Sequence, residues 1–383
     1  MDYDLIVVGA GPVGASLARA ARGMRVALVS HERRAPRSTR GEPFDARVYA
    51  LSPGNVAFLR SLGAWQRIPA DRLQPVHAMR VFGDDGRSRI EFDAYRAGVP
   101  ELAWIVEDKA LQDALWSGLD VDLFAPAVCE SLEIDVHRAV LKLNDGRGLA
   151  GKLVVGADGA NSFVRREAGI AAAEKEYGQA ALVANFHCEK PHAGRAYQWF
   201  QRGPVLALLP LPQDQVSMVW SLPSGEAERI GRLDAEALCR EVEAASRRAL
   251  GALSLAAPQK SYALRRLAAR RLVAPRIALA GDAGHVIHPL AGQGLNLGLQ
   301  DARALAATLA RREPARDPGD LRLLRRYERA RAEPILAMDA VVGGLFTLFG
   351  AESALASRLR NAGLNLTDRV PVLKNILMRH AMN

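Results

Sequence analysis

The sequence predicts an α/β protein in which a Rossmann-like unit of parallel strands is joined to an antiparallel sheet and to C-terminal helices. Two units, each made of a strand, a glycine-rich turn and a helix, support this prediction. They lie at residues 3–23 and 276–312. Between them, residues 177–220 form short apolar runs separated by Pro and Gly, which is typical of an antiparallel sheet. A length of 383 residues is enough for a large core and two domains.

Composition and charge restrict the class of function. Hydrophobic residues make up 49% of the chain and charged residues 24%, as in ordinary soluble proteins. The net charge is +9, but only seven of the 51 basic residues are Lys, and the many Arg are scattered rather than interleaved with aromatic residues. No nucleic-acid partner is therefore expected.

The cysteines and the apolar runs indicate a cytoplasmic protein. The three cysteines have neither CxxC nor His-linked spacing, so neither a disulfide framework nor a metal site is predicted. Asp2 and Asp4 stand where an export signal needs positive charge. The longest apolar stretch, residues 340–356, contains glycines and Glu352, which is unfavourable for a membrane span.

The N-terminal unit predicts a dinucleotide site. Residues 3–8 read as a strand, Gly9, Gly11 and Gly14 form a GxGxxG turn, and a helix and a second strand at 25–29 complete a βαβ unit. The glycines permit a tight turn and the close approach of a pyrophosphate to the helix N-terminus. The GxGxxG sequence alone is weak, but the flanking elements stand where this site needs them.

Two residues after this unit are candidates for further ligand contacts. The second strand ends at Ser30, and the acid expected to bind ribose hydroxyls is displaced to Glu32. We favour Glu32 as the acceptor, with Ser30 and a water molecule as the alternative. Arg47 precedes a predicted helix at 54–62 and either pairs with the pyrophosphate or is a surface arginine.

The middle of the chain adds two further candidates. We predict a strand pair at 74–92, a helix at 105–116 with Gln112 on one face, and strands at 121–143. Asp158 then follows an apolar strand and lies between two glycines. Its carboxylate can accept from a sugar hydroxyl, although the same sequence also suits a simple turn.

Residues 276–301 contain the strongest motif. A short buried strand at 277–280 is followed by Asp282, and a helix is predicted to begin between Gly292 and Leu295. Backbone N–H groups at such an N-terminus attract an anion, either a phosphate or the negative charge of a reduced flavin ring. A glycine-rich turn that merely packs tightly remains the alternative.

Three motifs together resemble a known enzyme family. GAGPVG at Gly9, GADGANS at Gly156 and GDAGHVIHPLAGQGLNLGLQD at Gly281 resemble the FAD-dependent aromatic monooxygenases of the 4-hydroxybenzoate hydroxylase type. The HPLAGQGLNLG core, with YGQAALVANF at Tyr177 and GPVLALLPLP at Gly203, is similar to the ubiquinone-biosynthesis hydroxylase branch (UbiH/UbiF type). The resemblance covers essentially the whole chain.

The resemblance implies a Rossmann-like FAD-binding domain with an inserted antiparallel-sheet substrate domain and C-terminal helices. The implied boundaries are 1–73, 101–175 and 265–330 for the FAD-binding domain, 74–100 and 176–264 for the substrate domain, and 331–383 for the helical region.

The resemblance also implies non-covalent FAD, with NAD(P)H as a co-substrate that has no Rossmann domain of its own. The matching cofactor positions are Gly9, Gly11, Gly14, Glu32, Arg47, Gln112, Asp158, Asp282, Gly292, Gly294, Leu295 and Asn296. The matching catalytic positions are Pro289, Gly292, Gln293, Gly294 and His288, with His288 a secondary candidate for acid or base chemistry.

The implied activity is hydroxylation of an aromatic ring of a (poly)prenylated phenol with NAD(P)H and O2 in ubiquinone biosynthesis, beside other proteins of that pathway. A non-catalytic FAD scaffold and a monooxygenase of a soluble aromatic acid are the alternatives. A flavin halogenase is set aside because no two tryptophans lie two positions apart.

The C-terminal region leaves a membrane contact open. Residues 335–348 are strongly apolar, and residues 355–374 mix Arg and Lys with Leu, Val and Ile. This mixture suits a helix lying at the inner face of an anionic membrane, and equally a helix pair packed on the FAD-binding domain.

Overall fold

The computed structural model describes residues 2–33, 42–85, 88–201, 203–288 and 292–350. Pro289, one of the predicted catalytic positions, lies outside the described residues.

The described residues form two large sheets, one small sheet and the helices that cover them. The strands are β1 (Tyr3–Val8), β2 (Val26–Val29), β3 (Val48–Leu51), β4 (Leu73–Val76), β5 (Ala78–Phe82), β6 (Arg89–Asp93), β7 (Ala103–Glu107), β8 (Asp122–Phe124), β9 (Cys129–Ile134), β10 (Ala139–Leu143), β11 (Gly148–Gly156), β12 (Ala172–Cys188), β13 (Arg195–Phe200), β14 (Val205–Leu211), β15 (Gln215–Pro223), β16 (Leu253–Ala269), β17 (Val273–Ala274), β18 (Ile277–Leu279) and β19 (His285–Val286). The helices are α1 (Pro12–Ala20), α2 (Pro53–Ser61), α3 (Ala94–Ala97), α4 (Asp108–Trp116), α5 (Phe163–Glu167), α6 (Ser224–Gly231), α7 (Ala235–Ala245), α8 (Gly294–Ala310) and α9 (Leu321–Gly350).

The first sheet contains the Rossmann-like unit. Its main path runs β17-β18-β11-β1-β2-β8, and β1 pairs in parallel with both β2 and β11. Leu5, Ile6 and Val7 in β1 are fully buried because both faces of the strand are covered. The carboxyl ends of β18, β11 and β1 therefore lie side by side at one edge, where the three glycine-rich motifs follow.

The second sheet contains the predicted antiparallel strands, in the order β19-β16-β12-β15-β14-β13-β5-β6, although β13 and β5 pair in parallel. Its side chains alternate between two buried faces. Tyr197 and Trp199 belong to the face that packs against α6 and α7. On the opposite face, Ala196 packs with Val76 and Ile105 of the three-stranded sheet, and Phe200 packs with residues of α8 and α9. One broad surface is thus built from alternate residues of several strands.

The helix predicted at 105–116 is wrong in its first part. Residues Ala103–Glu107 form β7, which pairs with β3 and β4 in a three-stranded sheet, and α4 begins only at Asp108. The β-branched and aromatic run Trp104, Ile105, Val106 favours a strand when partner strands are available. Of the strand pair predicted at 74–92, β5 and β6 do pair with each other, while the preceding β4 joins β7.

Helix α9 begins at Leu321 and extends into the region 331–383 that was predicted to be helical. Leu323, Leu324 and Tyr327 in its first half are fully buried. Its second half, after Pro334, exposes Leu336 and Val341 while burying Val342.

Within the described ranges up to residue 350, no helix combines the length and the apolar content required to cross a lipid bilayer.

Candidate functional site

The β1 to α1 turn is shaped by two close backbone contacts and one open position. A Cβ atom on Gly9, where φ is +99°, would lie 2.3 Å from the Ala157 carbonyl oxygen, and one on Gly14 would lie 1.9 Å from the Gly9 carbonyl oxygen. A Cβ atom on Gly11, in contrast, would meet no atom within 4 Å. Gly9 and Gly14 therefore allow the turn to close, and Gly11 leaves room for a ligand at the N-terminus of α1.

The three glycine-rich motifs meet at this turn. The first contacts the second where Gly9 lies against Ala157, and the second contacts the third through the hydrogen bond from the Ala280 N–H to the Gly156 carbonyl oxygen, 2.9 Å. The third contacts the first at Val13, because a Cβ atom on Gly298 would lie 2.6 Å from Val13 Cγ2. The three motifs that carry the resemblance therefore lie together in the structure.

Arg47 and Asp282 lie in a cleft beside this turn. Both residues are accessible to solvent, but many protein atoms lie close to their charged groups, as expected for side chains inside a cleft. Desolvation alone would lower the pKa of Arg47, but Tyr49, Asp108 and Asp282 raise it on balance. Desolvation raises the pKa of Asp282, with His285, Arg47 and Arg265 acting against it. The cleft thus presents a cation and a carboxylate to whatever enters it.

Gln112 is held at the cleft by a carboxylate that the sequence reasoning missed. Asp108 Oδ1 accepts from Gln112 Nε2 at 2.6 Å and from the Tyr49 hydroxyl at 2.9 Å. The Arg47 guanidinium lies over the Tyr49 ring at 5.5 Å. The i, i+4 spacing of Asp108 and Gln112 was a visible signal, although the wrong helix boundary obscured it.

Asp158 lies two residues after β11, and only one of its two carboxylate oxygens has a hydrogen-bond partner among the described residues. Its Oδ2 accepts the Val164 N–H at 3.2 Å, which fixes the start of α5. Its Oδ1 is buried and has no hydrogen-bond partner among the described residues. A buried acceptor without a donor is costly, so this oxygen is suited to a hydroxyl donor of a ligand.

The two candidates for the ribose contact differ in exposure. Ser30 is buried, and its Oγ accepts the Glu32 N–H at 3.3 Å. The Glu32 side chain is 63% exposed and lies 3.5 Å from His31. Glu32 is therefore the freer acceptor, whereas the Ser30 hydroxyl already supports the local turn.

Helix α8 begins at Gly294, within the range predicted from the sequence. Gly292 has φ of +60°, Gln293 is the N-cap residue, and no side chain caps the helix. Leu295 is partly buried against the main core. The first N–H groups of α8 are therefore free of a side-chain cap and can receive negative charge.

The Asn296 side chain is committed to the protein itself. Its Oδ1 accepts from the Ser52 N–H at 3.0 Å and from Asn55 Nδ2 at 2.9 Å, and its Nδ2 donates to the Ala50 carbonyl oxygen at 2.9 Å. This network joins the start of α8 to β3 and α2. If Asn296 contacts a cofactor, it does so through its backbone, because its side-chain groups already bond to protein atoms.

His288 is buried between the first and second sheets, at 1% exposure. Its Nε2 lies 3.1 Å from Gln179 Oε1, and its ring meets the Tyr177 ring edge-on at 4.7 Å. Burial lowers the pKa of His288 to about 4, so the imidazole is neutral at pH 7. Nε2 then carries the proton that is shared with Gln179.

The described residues fit FAD. The turn at Gly11 leaves space for a phosphate, the start of α8 has no side-chain cap, and Arg47, Asp282 and the free oxygen of Asp158 add a cation and two acceptors. This distribution suits an extended dinucleotide with a pyrophosphate near its centre and a ring that carries negative charge when reduced.

Comparisons with known proteins agree with this geometry. A family model described as "FAD binding domain" matches residues 2–339. The "Ubiquinone hydroxylase UbiL" of Rhodospirillum rubrum is 34% identical over 99% of this chain and 89% of its own length. The "3-demethoxyubiquinol 3-hydroxylase" of Escherichia coli is 32% identical over 99% of this chain and 98% of its own length.

A solved structure shares the fold. The crystal structure of Pseudomonas aeruginosa PqsL in complex with 2-aminobenzoylacetate has a TM-score of 0.78 and 26% identity, over 94% of this chain and 99% of that chain. Because the family match covers most of the sequence and relatives above 30% identity span nearly all of it, the chain belongs to the FAD-dependent monooxygenases of the ubiquinone-biosynthesis hydroxylase family.

Proposed function

We propose that this FAD-dependent monooxygenase hydroxylates the aromatic ring of a (poly)prenylated phenol on the route to ubiquinone, with NAD(P)H and O2 as co-substrates. The class of reaction follows from the family. The choice of a lipid-like phenol over a soluble aromatic acid rests on the sheet face that lines the substrate region.

This face is uncharged in its centre. The alternate residues of β13, β14 and β15 that point away from α6 and α7 include no Arg or Lys among the described positions. They are Ala196, Gln198, Phe200, Val205, Ala207, Leu209, Leu211, Gln215, Ser217, Val219 and Ser221. A soluble aromatic acid would bury its carboxylate against a wall without a cation, which is unfavourable.

The same face leads into an apolar cluster that includes residues next to His288 and in the first turn of α8. Phe200 and Val205 of the sheet pack with Ile287, just before His288, and with Leu297 of α8. Such a surface stabilises a phenol with an apolar chain by roughly 25 cal/mol for each Å² buried.

The residues have separate roles in this proposal. Gly11 and Arg47 would hold the pyrophosphate, Asp282 would accept from the ribityl chain, and the N-terminus of α8 at Gly292, Gln293 and Gly294 would favour negative charge on the ring. FAD, when bound, supplies the electrons taken from NAD(P)H and activates O2. His288 is neutral, and in this proposal it pairs with Gln179 of β12 and does not transfer a proton.

The test is a direct comparison of substrates. NAD(P)H oxidation and product mass are measured with a short-chain prenylphenol and with 4-hydroxybenzoate. We expect a product heavier by one oxygen atom only with the prenylphenol. Coupled hydroxylation of only the hydroxybenzoate would overturn the lipid assignment and leave the monooxygenase activity intact.

We also propose that the protein contacts the membrane peripherally to collect this substrate. The second half of α9 exposes Leu336 at 67% and Val341 at 55%. Exposed aliphatic side chains on one helix suit shallow insertion among lipid head groups.

Flotation with vesicles of phosphatidylglycerol and phosphatidylethanolamine tests the membrane contact. The variant Leu336→Glu with Val341→Glu is expected to bind less than the unaltered protein. Val136→Glu is the matched control, because Val136 is 84% exposed in the turn between β9 and β10. Equal binding of all three proteins would refute the proposal.

A further inference from the structure

Helix α9 joins the flavin side of the molecule to the substrate sheet through polar contacts along its length. The Tyr327 hydroxyl donates to the Leu279 carbonyl oxygen of β18 at 2.7 Å. Arg331 Nε donates to Asp301 Oδ1 at 2.6 Å, and Asp339 Oδ1 accepts from Arg266 Nε of β16 at 2.8 Å. The first two contacts belong to the flavin side and the third to the substrate sheet.

Asp301 lies at the centre of the flavin-side contacts. It is fully buried, and its Oδ2 accepts from His285 Nε2 at 2.6 Å and from the Gly281 N–H at 2.9 Å. Gly281 directly precedes Asp282, so this bond fixes the turn that carries the proposed ribityl contact. Burial alone would raise the pKa of Asp301, but His285 and Arg331 lower it, and the carboxylate is ionised.

Arg331 is the cation that α9 supplies to this carboxylate. It is 5% exposed and also donates to the Leu297 carbonyl oxygen of α8 at 3.3 Å. Removing one partner of a buried ion pair leaves the other charge uncompensated, which is strongly unfavourable. The position of the Gly281 turn therefore depends on α9.

The substrate-side contact is a two-point ion pair. Arg266 uses Nε and a terminal nitrogen to reach both oxygens of Asp339, at 2.8 and 2.5 Å. Next to Asp339, Met338 packs against the apolar cluster that contains Phe200 and Ile287. From Arg331 to Asp339 the helix rises about 12 Å.

We propose that Arg331 and Asp339 are positioning residues, and that α9 is a strut that sets the flavin turn at a fixed distance from the substrate sheet. With the strut intact, the substrate ring lies where it receives the activated oxygen. With the strut loosened, more NAD(P)H and O2 are converted to NAD(P)+ and hydrogen peroxide without product. The product readout rests on the proposed phenol substrate, whereas the cofactor readout does not.

The two ends of the strut predict different losses. Arg331→Met is expected to weaken FAD affinity about tenfold, because the Gly281 turn loses its anchor. Asp339→Asn is expected to leave FAD affinity within about twofold and to lower the ratio of product to NAD(P)H about threefold. Arg266→Met should match Asp339→Asn, and the double variant should add no further loss.

Arg326→Met is the matched control on the same helix. Arg326 pairs with Glu313 at 3.0 Å, and both side chains are about half exposed, at 48% and 52%. This variant should keep both the FAD affinity and the coupling ratio of the unaltered protein. If Arg331→Met does not fold, Arg331→Lys replaces it and is expected to retain part of the FAD affinity, since a charge remains beside Asp301.

The measurements are FAD titration by fluorescence, the flavin absorption spectrum, and product and hydrogen peroxide per NAD(P)H. Unchanged coupling in Asp339→Asn, or unchanged FAD affinity in Arg331→Met, would overturn the strut. Absence of product with the unaltered protein would instead refute the phenol substrate, and FAD affinity together with the peroxide yield would then decide the strut.

Discussion

The two large sheets organise binding in different ways. The parallel sheet concentrates its candidate residues at one edge, where β1, β11 and β18 end side by side and each is followed by a glycine-rich turn. The antiparallel sheet spreads its contacts over one face, through alternate residues of several strands. Turns at the end of a parallel sheet can bind a cofactor that related proteins share. A sheet face can adapt to a different substrate because single side chains on it can be replaced one at a time.

We expect the largest effects from substitutions at the carboxyl end of β1 in the first sheet. Two glycines there should differ in whether they affect folding or only cofactor binding. In Gly14→Val the new Cβ would lie 1.9 Å from the Gly9 carbonyl oxygen, so the turn cannot close and we expect loss of both FAD uptake and thermal stability. A Cβ atom on Gly11 meets no protein atom within 4 Å, so Gly11→Val should melt like the cofactor-free protein but fail to take up FAD. Melting curves with and without FAD test this contrast, and equal stability loss in both variants would contradict it.

A smaller effect at the same edge concerns the ribose contact. Glu32→Gln removes the exposed charged acceptor and is expected to weaken FAD binding by about 1 to 3 kcal/mol. Ser30→Ala removes a hydroxyl that already accepts the Glu32 N–H, and it should weaken binding less. Fluorescence titration of both variants gives the ranking, and the opposite order would assign the ribose to Ser30.

The junction of the two sheets should respond to pH through His288. Its folded-state pKa is lowered to about 4, below the ordinary value of 6.5, so unfolding takes up a proton between these two pH values. Stability is therefore lost as pH falls through this window, by about 2 kcal/mol at pH 5. His288→Gln should show a shallower decline from pH 7 to pH 5 than the unaltered protein. Parallel curves for the two proteins would be inconsistent with this burial effect.

The smallest effect should come from the sheet face. Ser217 and Asn185 are opposite each other on β15 and β12, both fully buried, and Ser217 Oγ and Asn185 Oδ1 have no partner among the described residues. We expect a water molecule or a polar group of the substrate between them. Ser217→Ala should change the free energy of unfolding by less than about 1 kcal/mol. It should raise KM by a larger factor than it lowers kcat. A fall in kcat alone would argue against a binding role.

The edge could be predicted from sequence because its signals are local. The strand from Tyr3 to Val8, the glycines after it and the helix start at Gly294 agree with the structure. Each depends on neighbouring residues, on apolar runs and on glycines at strand ends.

The connections between elements could not be predicted in this way. The Arg331 to Asp301 pair spans 30 positions and the Asn296 to Ser52 contact spans 244, so neither leaves a periodic pattern. The prediction assigns residues 105–107 of β7 to a helix because the partner strands β3 and β4 lie far from them in sequence. The assignments of individual cofactor residues remain predictions that the variants above address.

The order of strands in the parallel sheet has a consequence for synthesis on the ribosome. Strand β1 can pair with β2 soon after both are synthesised, but its other neighbour β11 follows about 150 residues later in the chain, and β18 later still. At roughly 5 to 20 residues per second, the apolar edge of β1 waits several seconds or longer for its partner. The nascent chain therefore carries one unpaired edge of β1 until residue 156 has been added, and the proposed FAD site is complete only after α8 has emerged. Chaperones that cover this edge during elongation should therefore raise the yield of folded protein.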